Sequence, residues 1–162
     1  MPITKDKKIE IVKNLEKYLT DSKSVVFVNF HGLTVGDASA LRRSLRKEGV
    51  GYTVAKKSLI KRALGTSSIK GDMPEMLGEL SLAFSADLLA PARGIYEFEK
   101  KLAGKVSIMG GVFLGEYKSK EEMVAMASIP SMQVLRGMFV NIINSPIQRM
   151  VIALNQIAEK KA

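Results

Sequence analysis

The chain has 162 residues, 46% of them hydrophobic, with no cysteine and a formal net charge of +9. That length fits one compact domain plus an appendage, and that apolar content is enough for a core, which argues against general disorder. Absence of cysteine excludes a disulfide framework and any thiolate metal site. The start, Met1 to Lys5, has no apolar stretch of the kind a secretory signal carries. The most apolar run, Gly137 to Pro146, is short and holds Asn141 and Asn144, so no membrane span is expected and the chain reads as soluble and cytoplasmic.

Charge is distributed unevenly. Residues 1–70 hold 15 Lys+Arg against 6 Asp+Glu, and residues 71–162 hold 10 against 10. The whole basic excess therefore lies in the first half, as on a surface that meets nucleic acid. A solubility bias or an anionic-membrane patch would give the same sum.

In chain order, Thr4 is placed to cap a first helix with Ile11, Val12, Leu15, Tyr18 and Leu19 apolar. Ser24 to Phe30 is a continuously apolar, β-branched run and predicts a central strand. His31 and Gly32 turn the chain, and Thr34 caps a second helix with Val35, Ala38, Leu41 and Leu45 on one face, ended by Gly49. Val50 to Val54 predicts a second strand. A short helix from about Lys57 carries Leu59, Ile60, Ala63 and Leu64 and closes at Gly65. A loop over 66–72 and one helical turn over 73–77 lead to a third strand, Leu80 to Ser85. Pro91 opens a helix with Ile95, Phe98 and Leu102. Val106 to Leu114 forms a fourth strand, with a bulge at Gly110 and Gly111. Two βαβ units around one sheet predict an α+β fold of the split-βαβ (ferredoxin-like) kind, with a mixed doubly wound sheet as the alternative.

Beyond residue 115 the pattern is helical. Ser119 and Glu122 form a capping box, and two further helices are expected, Met132 to Asn144 and Pro146 to about Lys160, the second capped by Ser145. The expected organisation is an α/β domain over 1–115, a capped helix and connector over 116–130, and a helical extension over 131–162.

Signals of catalysis are weak. His31 is the one histidine, Glu121 and Glu122 are accounted for by the capping box, and no glycine spacing matches a nucleotide-binding loop. Neither an enzyme nor a cofactor or metal site is expected.

Basic residues cluster more informatively. Arg42, Arg43 and Arg46 lie on the second helix. Lys56, Lys57, Ser58, Lys61 and Arg62 lie at and beyond the start of the third. A helix start with hydroxyls and cations beside it cradles phosphate, and His31, Gly32 and Thr34 form a second strand-to-helix turn of that type. Each cluster alone is also what a solvated helix face looks like. Few aromatics (6%) disfavour base stacking along a single strand and favour shape and phosphate recognition of folded RNA. In the tail, Ile147, Met150, Val151, Leu154, Ile157 and Ala158 recur at helical spacing. Such a stripe either folds back as a core helix or receives a partner. Nine methionines suit an adaptable partner surface.

Several ordered segments carry a resemblance: Phe27 to Val35, Leu41 to Arg46, Val54 to Ala63, Gly110 to Gly115, and Ile129 to Ser131. Together they resemble the bacterial large-subunit ribosomal stalk-base proteins, the ribosomal protein L-ten family. Asn29, His31, Lys57 and Ser58 depart from that family's usual residues. The resemblance implies a structural ribosomal protein whose first domain binds large-subunit ribosomal RNA at the GTPase-associated region, beside ribosomal protein L-eleven. It also implies that the C-terminal helix anchors dimers of the acidic stalk protein L-seven/L-twelve, which recruit translational GTPases. The stripe divides into Ile147/Met150/Val151 and Leu154/Ile157/Ala158, which gives an expectation of two dimers. An assembly-factor paralogue sharing the RNA-binding domain, or a small-ligand-binding α+β domain, are the alternatives.

Overall fold

The computed structural model describes residues 4–66, 69–71, 73–74, 76, 78–102 and 104–161. It divides into two compact units, residues 1–129 and 130–162.

In the first unit the elements are α1 (Lys5–Asp21), β1 (Ser24–Phe30), α2 (Val35–Lys47), β2 (Gly51–Val54), α3 (Lys57–Thr66), β3 (Leu80–Ser85), α4 (Ala90–Lys101), β4 (Val106–Phe113), β5 (Glu116–Lys118) and α5 (Lys120–Ala127). The strands form one sheet in the order β2-β3-β1-β4-β5, antiparallel at every pairing. Strands β1 to β4 thus have the split-βαβ arrangement: each helical crossover joins two parallel strands with a third between them.

The sheet is covered on both faces, which explains why β1 is apolar without alternation. Val26 and Val28 pack with Leu41 and Leu45 of α2, Ile95 of α4 and Met123 of α5. Val25 and Phe27 point the other way, among Leu15 of α1 and Ile60 and Leu64 of α3. The period of two along β1 therefore distributes one strand between two cores.

Local signals act where the sequence places them. The Thr34 hydroxyl oxygen accepts from the Asp37 N–H at 3.2 Å, and Gly49 ends α2 with φ +72°, a left-handed conformation that favours glycine. Ser119 and Glu122 make both halves of the capping box, at 3.3 and 2.9 Å. Thr4 precedes α1 without a side-chain cap. The bulge is present: Phe27 faces Gly110 whereas Val28 faces Ile108, so Met109 is the extra residue. Gly110 has φ +147°, and a Cβ there would lie 2.9 Å from the Lys118 carbonyl oxygen. α3 runs one residue beyond Gly65. The helical turn expected over 73–77 lies partly outside the described residues, at 75 and 77; Met73, Pro74 and Met76 are not helical.

Two features differ from the sequence reading. First, the sheet has a fifth strand, and α5 carries Met123 and Ala127 into the core. The segment 116–129 is therefore part of the first compact unit. A strand of three residues is too short to leave a readable period, and an eight-residue helix with two core residues shows little amphipathic pattern. Second, the tail is one helix, α6 (Met132–Lys161), with Pro146 inside it. Ser145 does not act as a cap. Pro146 has no N–H to donate to the carbonyl of residue 142, a cost the uninterrupted helix absorbs. Its 30 residues extend about 45 Å at 1.5 Å per residue.

Candidate nucleic-acid interface and docking helix

Both β1 and β2 run antiparallel to β3, with Asn29 opposite Leu80 and Val54 opposite Ser81. Their C-terminal ends therefore reach the same edge of the sheet. His31, Gly32 and Thr34 leave one strand there, and Lys56, Lys57 and Ser58 leave the other. The His31 N–H donates to the Lys105 carbonyl at 2.8 Å, and Gly32 turns with φ +60°. All six residues are exposed except Lys57, which is half-buried.

Arg42 joins this edge from α2. Its guanidinium lies 5.9 Å from the centre of the Tyr52 ring on β2, a cation–π contact that fixes a long side chain against the sheet. A groove of about 310 Å³ runs between α2 and β2, lined by Gly32, Thr34, Arg42, Tyr52 and Glu79. Burial pushes the Tyr52 phenol pKa up, opposed in part by its hydrogen bond with Ser81 and by the Arg42 charge. The ring stays neutral under the cation.

The remaining predicted residues are separated from this edge. Arg43 and Arg46 are exposed on the later turns of α2, Arg46 about 16 Å along the helix from its start. Lys61 and Arg62 lie on α3, across the sheet from α2. Arg62 lines a second groove with Lys5, Lys8 and Lys13 of α1.

Sequence reading missed two contributions. Lys105, just before β4, is brought beside His31 by the pairing of β1 with β4, and its ammonium lies 3.8 Å from the Asp37 carboxylate. The α1 lysines belong to neither basic cluster of the sequence analysis, and only the packing of α1 on α3 sets them beside Arg62. Neither signal exists in local sequence; both need the register. Among the described residues, the ion pairs are Lys105–Asp37 and Lys118–Glu116. The predicted cations are thus not neutralised by neighbouring carboxylates. Among the same residues no group of three or more His, Asp or Glu is placed to hold a metal.

α6, taken by itself, exposes its apolar side chains. Ile147, Met150, Val151, Leu154 and Ile157 are each more than half exposed, and Ala158 is exposed as well. The exposed set is wider than the predicted stripe: it includes Val134, Met138, Phe139, Val140, Ile142, Ile143 and Ile152. Apolar residues thus lie all round the helix, and between Met132 and Asn155 only Arg136 and Arg149 are charged. A helix of this kind is normally enclosed by other chains or by lipid. Among the described residues no single helix is long and apolar enough to cross a membrane.

A cationic α+β unit joined in sequence to an apolar helix has the make-up of an assembly component. The family model for ribosomal protein L10 matches residues 3–100. The large ribosomal subunit protein uL10 of Shouchella clausii (strain KSM-K16) is 33% identical over 157 residues, covering 96% of this chain and 94% of that protein. The chain belongs to the ribosomal protein L10 family. It is a structural protein of the large ribosomal subunit, located with the ribosome in the cytoplasm, and not an enzyme.

Proposed function

We propose that the protein forms the base of the large-subunit stalk. The first unit binds large-subunit ribosomal RNA at the GTPase-associated region, next to ribosomal protein L-eleven. Contacts come from His31, Gly32, Thr34, Lys56, Lys57 and Ser58 at the sheet edge and from Arg42 in the adjoining groove. Arg43 and Arg46 extend the contact along α2, and Lys61 and Arg62 along α3. α6 anchors two dimers of the acidic stalk protein L-seven/L-twelve through Ile147, Met150 and Val151 and through Leu154, Ile157 and Ala158.

The observation that carries this reading is the separation of two surfaces that need opposite partners. Unpaired cations at one sheet edge suit a polyanion, whose binding releases counterions. A helix with apolar residues on all sides is stabilised by partners that surround it, as chains docking on more than one face would do. Native mass spectrometry of the full chain mixed with stalk protein and the ribosomal RNA fragment tests it. One anchor, four stalk chains and one RNA are expected. Six stalk chains would refute the count, and none would refute the role.

A further inference from the structure

On the sheet face opposite the Arg42 groove, a cavity of about 650 Å³ opens beside Lys56 and Lys57. We propose that it takes one unstacked nucleobase of the bound RNA, an inference that rests on the RNA-binding reading above.

The walls suit a flat, mostly apolar group. Tyr18, Phe30 and Leu59 line them, and the Tyr18 ring is held in place by stacking on Phe84, with centres 4.4 Å apart and planes inclined by 15°. Polar groups are few: Asn14 and Thr53 offer donors and acceptors, and Glu79 offers an acceptor for an exocyclic amino group. Lys56 and Lys57, which also line the cavity, supply the charge for the phosphate that must accompany any base entering it. A neutral peptide or bare acyl chain would satisfy the apolar wall and leave these two cations unmatched. A nucleotide satisfies both.

Position supports the same occupant. Phe30, Val54 and Glu79 line this cavity and also the Arg42 groove on the other side. The sheet edge proposed for phosphate contact is therefore the ridge between the two. RNA lying along that ridge has its backbone against His31 and Lys56 with the cavity immediately beside it. Folded RNA exposes such bases at bulges and loops, and proteins read them by stacking and edge hydrogen bonds. The scarcity of aromatics in the chain disfavours serial stacking along a strand, whereas a single captured base requires only one cavity.

The test uses the full chain and the ribosomal RNA fragment, with each unpaired nucleotide replaced in turn by an abasic one. One position should lose about 5-fold or more in affinity, the lower end of what a stacked base contributes. Ala55→Phe, which places a ring in the cavity where the base would lie, should lose a similar factor, and the abasic substitution should then cost little more. The salt dependence of binding should change by less than one phosphate contact's worth of slope, because Lys56, Lys57 and the other cations are all retained. Tyr18→Leu, at a position 37% exposed, provides the same cycle without filling the interior. The proposal is overturned if no abasic substitution weakens binding to the wild-type chain. It is equally overturned if the abasic loss persists in full in whichever of these variants unfolds cooperatively. Absence of any RNA binding by the wild-type chain would instead remove the reading on which the proposal rests.

Discussion

Met123→Ala should destabilise the first unit by about 3–4 kcal/mol, within the roughly 2–5 kcal/mol range for truncating a buried methionine. Met123 is fully buried, in the core shared by α2, α4 and α5. A value above the low end of that range is expected because of what lies beneath it. A Cβ built on Gly111 would come within 2.9 Å of the Met123 terminal methyl carbon, so the side chain fills the notch that the glycine leaves in β4. Once it is truncated, Gly111 has no side chain to move in, and the β4 backbone is held by pairing on both sides. The cavity therefore persists instead of collapsing. At roughly 2–4 °C per kcal/mol for a chain of this size, the melting midpoint should fall by about 10 °C, measured by circular dichroism or calorimetry on the full chain. Met123→Leu, which nearly conserves volume, should cost less than about 1.5 kcal/mol. A shift below about 2 °C for Met123→Ala would show that α5 is not part of the core.

Further outcomes follow from the same structure. Ending the chain after Ile129 keeps β5 and α5 and should preserve cooperative unfolding and RNA binding while abolishing capture of stalk dimers; ending it after Gly115 should abolish cooperative unfolding, and a stable 1–115 fragment would contradict the packing of α5. Replacing Arg42, Arg46, Lys56, Lys57, Lys61 and Arg62 together with Ala should weaken RNA binding and flatten its salt dependence by about 0.9 log units of slope per lost phosphate contact; an unchanged slope in a folded variant would remove these residues from the interface. Leu154→Asp with Ile157→Asp should remove one stalk dimer, and adding Ile147→Asp with Met150→Asp should remove both, because each charge would face an apolar interface without a counter-ion; native masses that keep four stalk chains would place the docking surface elsewhere on α6.

The legible parts of this protein are those whose physics is local. Thr34, Gly49, Pro91 and the Ser119/Glu122 box mark helix ends because each side chain or backbone preference acts on atoms within a few residues. β1 is legible because burial on both faces makes Val25 to Val28 apolar without alternation. β5 and the core role of α5 are not, because three strand residues become a strand only through pairing with 111–113. Pro146 is misleading for the opposite reason. Proline strongly disfavours a helix interior, yet its whole cost there, a lost hydrogen bond together with a ring clash, is about 3 kcal/mol, and a long helix can outweigh it. For the candidate interface, the turns after β1 and β2 are legible as phosphate-type turns, and the parallel direction of those strands explains why they meet. The alignment of Lys105 with His31, and of Lys5, Lys8 and Lys13 with Arg62, depends on register and helix packing that no short segment encodes.

On the proposed function the two surfaces would rest on interactions with different dependence on solution conditions, which makes them separable in one molecule. Phosphate contacts weaken steeply as salt rises, since each one owes its strength to released counterions. Apolar docking on α6 is insensitive to moderate salt, and strengthens with salts that are excluded from protein surfaces. Arg136 and Arg149 are the only charges along most of α6, too few to give its docking a strong ionic component. Raising salt should therefore release the RNA while stalk chains stay attached. The basic residues lie in a unit whose core is complete without α6, so a change in either surface leaves the packing that supports the other intact. On the proposed function the work divides between the two compact units: cations held in register by a sheet for the RNA, and an apolar helix for protein partners.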